Sequence, residues 1–190
     1  MTPLCKLSRK HGCDKGGEYH PYGDQNRWSH SYTPVYWKRF KDLRGKPLTL
    51  LEIGVSEGYS LNMWHEFFPR ARIVGWDVRD DRWTEVVRDP LVRVQKVDQG
   101  DMVQMVEALH VLGNPRFEII IDDGSHQFKD QMTSWSTLMP TLKSDGLYII
   151  EDMTTELPVP VGWKNKVYRW PLRKNQDPAM GDMLQVIRRD

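Results

Sequence analysis

The sequence predicts an α/β fold, a mostly parallel sheet with helices on both faces. Three observations predict it. Short apolar runs of strand length alternate with stretches whose apolar residues are spaced for helices. Runs such as Leu48–Val55 (LTLLEIGV) and Phe117–Asp122 (FEIIID) are near-continuous rather than alternating, as in strands buried on both faces. Several of these runs end in acidic residues, at the sheet edge where such folds bind ligands.

The elements follow in order. Residues 1–34 read as a polar lead-in, too rich in Gly, Pro and Asn for a long helix or strand. Its His, Tyr and Trp residues suit a segment that folds over a site as a lid. Val35–Leu43 is a short amphipathic helix ended by Gly45 and Pro47. Leu48–Val55 is the first strand, and Ser60–Phe68 a helix stopped by Pro69. Ala71–Val78 and Leu91–Val97 are the second and third strands, and Met102–Leu112 a helix ended at Gly113. Phe117–Asp122 is the fourth strand, Gln127–Leu142 a helix containing a proline, and Gly146–Asp152 the fifth strand. Val167–Pro171 and Met183–Arg188 are two final strands joined by a polar loop. No repeat or domain boundary interrupts the pattern, so residues 1–190 are expected to form one domain.

Composition excludes several classes. At 39% hydrophobic residues the chain is too apolar to be disordered. A formal net charge of +1 gives no global reason to expect nucleic acid or an acidic membrane as partner. No apolar run approaches the ~20 residues that span a bilayer, and Met1–Lys15 lacks the apolar core of a secretory signal. Cys5 and Cys13 make neither a disulfide framework nor a zinc site, so a reduced, cytoplasmic setting is the default. There are eight tryptophans, at positions 28, 37, 64, 76, 83, 135, 163 and 170. Packing is their plain reading; the functional one is that one or two flank a pocket, where aromatic faces suit the C–H faces of a sugar.

The strand ends carry the chemistry. The first runs into Glu52-Ile53-Gly54-Val55-Ser56-Glu57-Gly58-Tyr59-Ser60. Glycines there allow a ligand close to backbone, and the next helix offers free N–H groups. The pattern is neither a dinucleotide fingerprint nor a P-loop. Asp77 ends the second strand near the spacing at which a carboxylate accepts from a ribose diol, although a turn-capping Asp would look the same. Asp98 and Gln99 end the third and are able to grip an adenine edge. Together these favour an adenosine-containing cofactor. With Glu52 present and no phosphate cradle, they favour one that carries an amino acid and a sulfonium.

The fourth strand ends Asp122-Asp123-Gly124-Ser125-His126 and the fifth Glu151-Asp152. Adjacent parallel strands lie about 4.8 Å apart, so three or four carboxylates would converge. Crowded carboxylates repel one another, and a divalent cation removes the conflict. All-oxygen ligation suits Mg²⁺, Mn²⁺ or Ca²⁺ rather than zinc. The plainer alternative is a carboxylate capping the next helix and another bound to an Arg. His126 beside this cluster suits a general base, although a lone His is more often structural.

The motifs LEIGVSEGYSLNMW, GWDV, VDQGD, IIIDDGSH and GLYIIEDM, preceded by KHGCDKGG…HSYTPVY, occur in the order seen in a known family. From about Lys10 to Arg188 the chain resembles the metal-dependent sugar O-methyltransferases of the macrolide (mycinamicin and tylosin) type. The resemblance implies a Rossmann-like class I methyltransferase fold of seven strands, the last antiparallel. It implies S-adenosylmethionine held by Glu52, Gly54, Ser56, Gly58 and Ser60 in the turn, with Asp77, Asp98, Gln99 and Asp122. It implies Mg²⁺, or Mn²⁺ in its place, on Asp123, Glu151 and Asp152, with His126 as base. Cys13 stands where that family usually has Thr or Ser. Nothing of the macrolide enzymes' extra N-terminal domain is matched, so the expected acceptor is a sugar on a glycan or glycolipid as readily as on a glycosylated natural product. A homo-oligomer and a neighbouring glycosyltransferase stand open beside that substrate. Two other readings remain: a catechol-type methyltransferase, which also chelates a diol, and a non-catalytic cofactor-binding module.

Overall fold

A computed structural model describes residues 1–16, 30–83, 86, 88–169 and 183–189. Seven strands form one sheet in the order β3-β2-β1-β4-β5-β7-β6. They are β1 (Leu48–Ile53), β2 (Ala71–Asp77), β3 (Val92–Lys96), β4 (Phe117–Asp122), β5 (Leu142–Met153), β6 (Lys164–Arg169) and β7 (Met183–Arg188). Strands β1 to β5 pair in parallel. β7 is antiparallel to both β5 and β6, so the final pair forms a hairpin at the sheet edge. The Rossmann-like architecture and the antiparallel last strand agree with the sequence.

The helices are α1 (Pro3–His11), α2 (Thr33–Phe40), α3 (Tyr59–Phe67), α4 (Met102–Val111) and α5 (Phe128–Leu138). Side chains alternate along each strand, so each strand feeds two cores. Leu50, Ile73, Ile119, Ile121 and Ile149 pack on one face with Leu4, Tyr36, Phe40, Trp64 and Phe67 of α1 to α3. Leu51, Val74, Ile120, Tyr148 and Ile150 pack on the other with Met105, Leu109, Trp135 and Leu138 of α4 and α5. Among the described residues, no helix is long and apolar enough to cross a membrane.

Four elements depart from the sequence reading, one of them β6, which begins at Lys164, three residues before the strand read as Val167–Pro171. The lead-in contains α1, capped by the Thr2 side chain on the Cys5 amide and ended by Gly12 with a left-handed backbone. Its Leu4 is fully buried, so this part of the lead-in is core. The helix read as Gln127–Leu142 stops at Leu138 and tightens into a 3-10 turn at Met139–Thr141, where Pro140 lacks the N–H that an α-helix needs. β5 begins at Leu142, four residues earlier than read, and crosses a register irregularity between Phe117 and Ile119 of its neighbour. The lid-like stretch 17–29, Trp28, Trp170 and the loop before β7 lie outside the described residues.

Docking of α1 makes a checkable statement. Leu4→Ala should cost about 2–5 kcal/mol, as for a buried leucine, read as a lower urea midpoint. A shift equivalent to less than about 0.5 kcal/mol, the size of an ordinary surface substitution, would mean that α1 is not part of the packed core.

Candidate active site

β1, β4 and β5 are neighbours, and their registers align Ile53 with Asp122 and Asp122 with Ile150. Alternation then decides which acids meet. Glu52, Asp123 and Glu151 follow residues of the α1–α3 face and turn to that side. There all three reach the ammonium of Lys15, which comes from the segment between α1 and α2. Its Nζ donates to Asp123 Oδ2, lies 3.0 Å from Glu151 Oε2 and 3.4 Å from Glu52 Oε1. Lys15 is 1% exposed. Burial opposes its charge, but Asp123, Glu151 and Glu52 outweigh that and hold its pKa well above the usual lysine value.

The carboxylates respond to the same surroundings. Burial pushes Glu52 up to about 7 against the pull of Lys15, and its Oε2 accepts from the Ser60 hydroxyl at 2.8 Å. Burial also raises Glu151, whose Oε1 accepts from the Tyr36 hydroxyl. Asp123 is raised by burial too, with Lys15 opposing. Asp152 differs. Burial works to raise it, but the His30 hydrogen bond and charge, with the Tyr32 hydroxyl, bring it down to about 2. His126 Nε2 lies 4.0 Å from the other Asp152 oxygen, and its Nδ1 is buried with no hydrogen-bond partner among the described residues.

A cavity of about 350 Å³ opens over this cluster, lined in part by Lys15, His30, Asp123, His126 and Asp152. It is also lined by Gly54 and Ser56 of the turn after β1, by Ser60 of α3 and by Asp77. A second cavity of about 150 Å³ shares Gly54, Asp77 and Gly124 with it and adds Val78, Val97, Asp98 and Gln99. Asp77 Oδ2 accepts the Val55 and Ser56 amides, both at 2.8 Å, which ties the turn to the end of β2. Gln99 accepts the Ser125 amide at 2.6 Å and donates to Asp122 at 3.1 Å, which fixes the DDGSH loop. A Cβ on Gly124 would lie 1.7 Å from Gln99 Oε1, so any larger residue there would have to displace the Gln99 amide. Ser31, Ser56, His126 and Asp152 all have positive φ, between 50° and 62°. Such backbone costs of order 1–3 kcal/mol per residue and gathers at working sites.

Of the residues expected to hold a cofactor, Gly54, Ser56, Ser60, Asp77, Asp98 and Gln99 line one or both cavities. Glu52 sits behind Ser60 and Lys15, and Gly58 caps α3. Asp122 falls on the opposite face of β4, fully buried, bonded to Ser134, Gln99 and Tyr148, and raised by burial to about 6. It props the site from beneath rather than lining it.

Of the expected metal ligands, Asp123 and Asp152 come together, with His126 as third member. Their ligand atoms all lie within 4.8 Å of one another. Glu151 is turned into Lys15 and Tyr36 instead. Trp64, Trp76 and Trp135 are core, in line with their packing reading, and among the described residues no tryptophan lines either cavity. Lys15, His30, Tyr32 and Tyr36 were not singled out from sequence. Their one signal was the KHGCDKGG…HSYTPVY resemblance, together with an excess of acids in want of a counter-charge.

Residues 51–153 match the family model described as a methyltransferase domain. The chain belongs to the methyltransferase domain family. It is 34% identical over 159 residues to an 8-demethyl-8-alpha-L-rhamnosyl tetracenomycin-C 2'-O-methyltransferase of Streptomyces olivaceus, covering 80% of this chain and 38% of that protein. It is 38% identical over 133 residues to a mycinamicin VI 2''-O-methyltransferase of Micromonospora griseorubida, covering 66% of this chain and 32% of the relative. A methyltransferase from the mycinamycin biosynthetic pathway, crystallised in complex with Mg and SAH, superposes with a TM-score of 0.66 at 33% identity, over 80% of this chain and 37% of that one. The chain thus spans less than two fifths of the length of these relatives.

The turn after β1 offers a test of the site's backbone. Gly54 has φ +89°, and a Cβ there would lie 1.9 Å from the Asp123 carbonyl oxygen. Gly54→Ala should therefore destabilise by more than the ~1–2 kcal/mol of left-handed backbone alone, seen as a drop in Tm. An unchanged Tm would mean that β1 and β4 do not approach this closely.

Proposed function

We propose that this chain transfers the methyl group of S-adenosylmethionine to a hydroxyl of a sugar carried on a glycan, glycolipid or glycosylated natural product, aided by Mg²⁺ or Mn²⁺. The observation that carries this reading is a pair of cavities that share Gly54, Asp77 and Gly124. The polar ends of β2 and β3 line the smaller, and the Asp123, His126 and Asp152 group lines the larger beside the turn after β1. The names of the relatives, all O-methyltransferases acting on sugar-bearing molecules, support the acceptor class. Cys5 and Cys13 are buried thiols rather than a disulfide, which supports the cytoplasmic setting in this reading.

In this reading the smaller cavity takes the adenine between Val78 and Val97, and Asp77 accepts from the ribose hydroxyls. The methionine end runs along Gly54, Ser56 and Ser60. The donor set fits a hard divalent ion: two half-buried carboxylates at the cavity floor with open space above them. Asp123 and Asp152 would hold the ion, and when bound it would act as a Lewis acid that lowers the pKa of a chelated sugar hydroxyl. Because Mg²⁺ prefers oxygen ligands, His126 is left as the base. It takes the hydroxyl proton as the oxygen bonds to the methyl carbon and the carbon–sulfur bond breaks. The strained backbone at His126 and Asp152 holds these groups in place before substrate arrives.

The experiment is direct. Protein, labelled S-adenosylmethionine, Mg²⁺ and a panel of rhamnosides and other deoxyhexosides should yield a labelled O-methyl sugar. EDTA should abolish the product, and added Mg²⁺ or Mn²⁺ should restore it. Full turnover in EDTA would overturn the role of the ion, and methylation of catechols but not glycosides would overturn the acceptor class.

His126→Ala should lower kcat by roughly 10²–10⁴-fold, the usual loss with a general base, with Mn²⁺ affinity unchanged. A parallel loss of Mn²⁺ affinity would place His126 among the ligands instead.

A further inference from the structure

Lys15 takes no part in the proposed reaction, yet it is the one buried lysine among the described residues. Lysine is almost never fully buried unless paired. Here its ammonium contacts Asp123 and Glu151, two of the three acids expected to bind the ion, and stands 3.4 Å from Glu52, which is not among them. It also lines the cavity, so it faces the space through which an ion would arrive.

We propose that Lys15 is an intramolecular rival of the divalent ion: its ammonium occupies Asp123 and Glu151 in the metal-free protein and must yield one of them when the ion enters, thereby setting the affinity. The proposal rests on the metal reading above. Three carboxylates face the same side at the ends of three adjacent strands, and without a cation they would repel. Lys15 supplies that cation from within the chain, which lets the protein fold before it is loaded. A lysine suits the task, since it is a point charge with three rotatable donors on a flexible stem. Glu52 gives the ammonium a partner to keep after it leaves Asp123, held ready by the Ser60 hydroxyl. Any ion must then displace the bound ammonium before it can take the carboxylates. The observed affinity is reduced by the fraction of protein in which Lys15 already holds them.

The test uses Mn²⁺ as probe, read by loss of the free-ion electron paramagnetic resonance signal on titration. Wild type, Lys15→Met and the double variant Lys15→Met/Glu52→Gln are compared. At pH 8.5, above the value of about 7 to which burial raises Glu52, the double variant removes one positive and one negative charge, so the net charge of the cluster is unchanged, and Asp123, His126, Glu151 and Asp152 all remain. It also leaves fewer unpaired acids, so it covers the case in which Lys15→Met alone fails to fold. The expected result is at least tenfold tighter Mn²⁺ binding in both variants. Tighter binding in Lys15→Met alone, with the double variant equal to wild type, would reduce the role of Lys15 to its long-range charge and overturn the rivalry. Equal or weaker binding in both overturns it as well. Absence of Mn²⁺ binding in all three proteins would remove the metal reading and this proposal together.

Discussion

One buried ammonium holds this site together. Three strands of a parallel sheet end side by side, and the side-chain alternation that builds their apolar cores also aims Glu52, Asp123 and Glu151 at one point. Such convergence is unfavourable unless a positive charge meets it. Lys15 does so, and to reach it the chain must dock α1 and α2 against the sheet. The backbone at that place is stitched: the His30, Ser31 and Thr33 amides donate to the Asp14, Gly16 and Lys15 carbonyls. Packing of the α1–α3 face and charge balance at the sheet edge are therefore one constraint.

The opposite face repeats the theme with neutral partners. Asp122 is met by a hydroxyl from α5, an amide from the β3 end and the Tyr148 hydroxyl, with no cation among these partners. Burial raises it to about 6, so it carries its charge less readily than an exposed aspartate. Two adjacent aspartates in one motif thus have different work. Asp123 faces ligand space, and Asp122 ties the loop through Gln99 to the floor beneath.

Most of the fold was legible because it is written in hydropathy. β1, β2 and β4 are near-continuous apolar runs, and their edges fell within two residues of the observed ones. The helix α1 was missed because its signal is local capping within a polar stretch, and nine residues make few apolar repeats. The acids of the site were legible by place, since a strand end is easily located. Their directions were not, because a one-residue step reverses the face, which separates Asp122 from Asp123. Lys15 was hidden for a different reason: a lysine in a glycine-rich stretch reads as solvated, and only the tertiary fold removes it from water. The tryptophans stayed open to two readings because composition alone does not distinguish a ring in the core from a ring in a pocket.

The stretch that matches the family model begins at Leu51 and ends at Met153, yet the side chains that neutralise and orient its acids come from outside it. Lys15, His30, Tyr32 and Tyr36 all precede it, and the β6–β7 hairpin that covers the edge of β5 follows it. A truncation cut to those limits would strand Glu52 and Glu151 in an apolar interior with nothing to answer their charge, and would expose β5 as a bare sheet edge. Recombination or domain grafting that respects the matched borders would carry the acids without their counter-ion. For exchange between proteins, the indivisible unit of this architecture is larger than its recognisable signature.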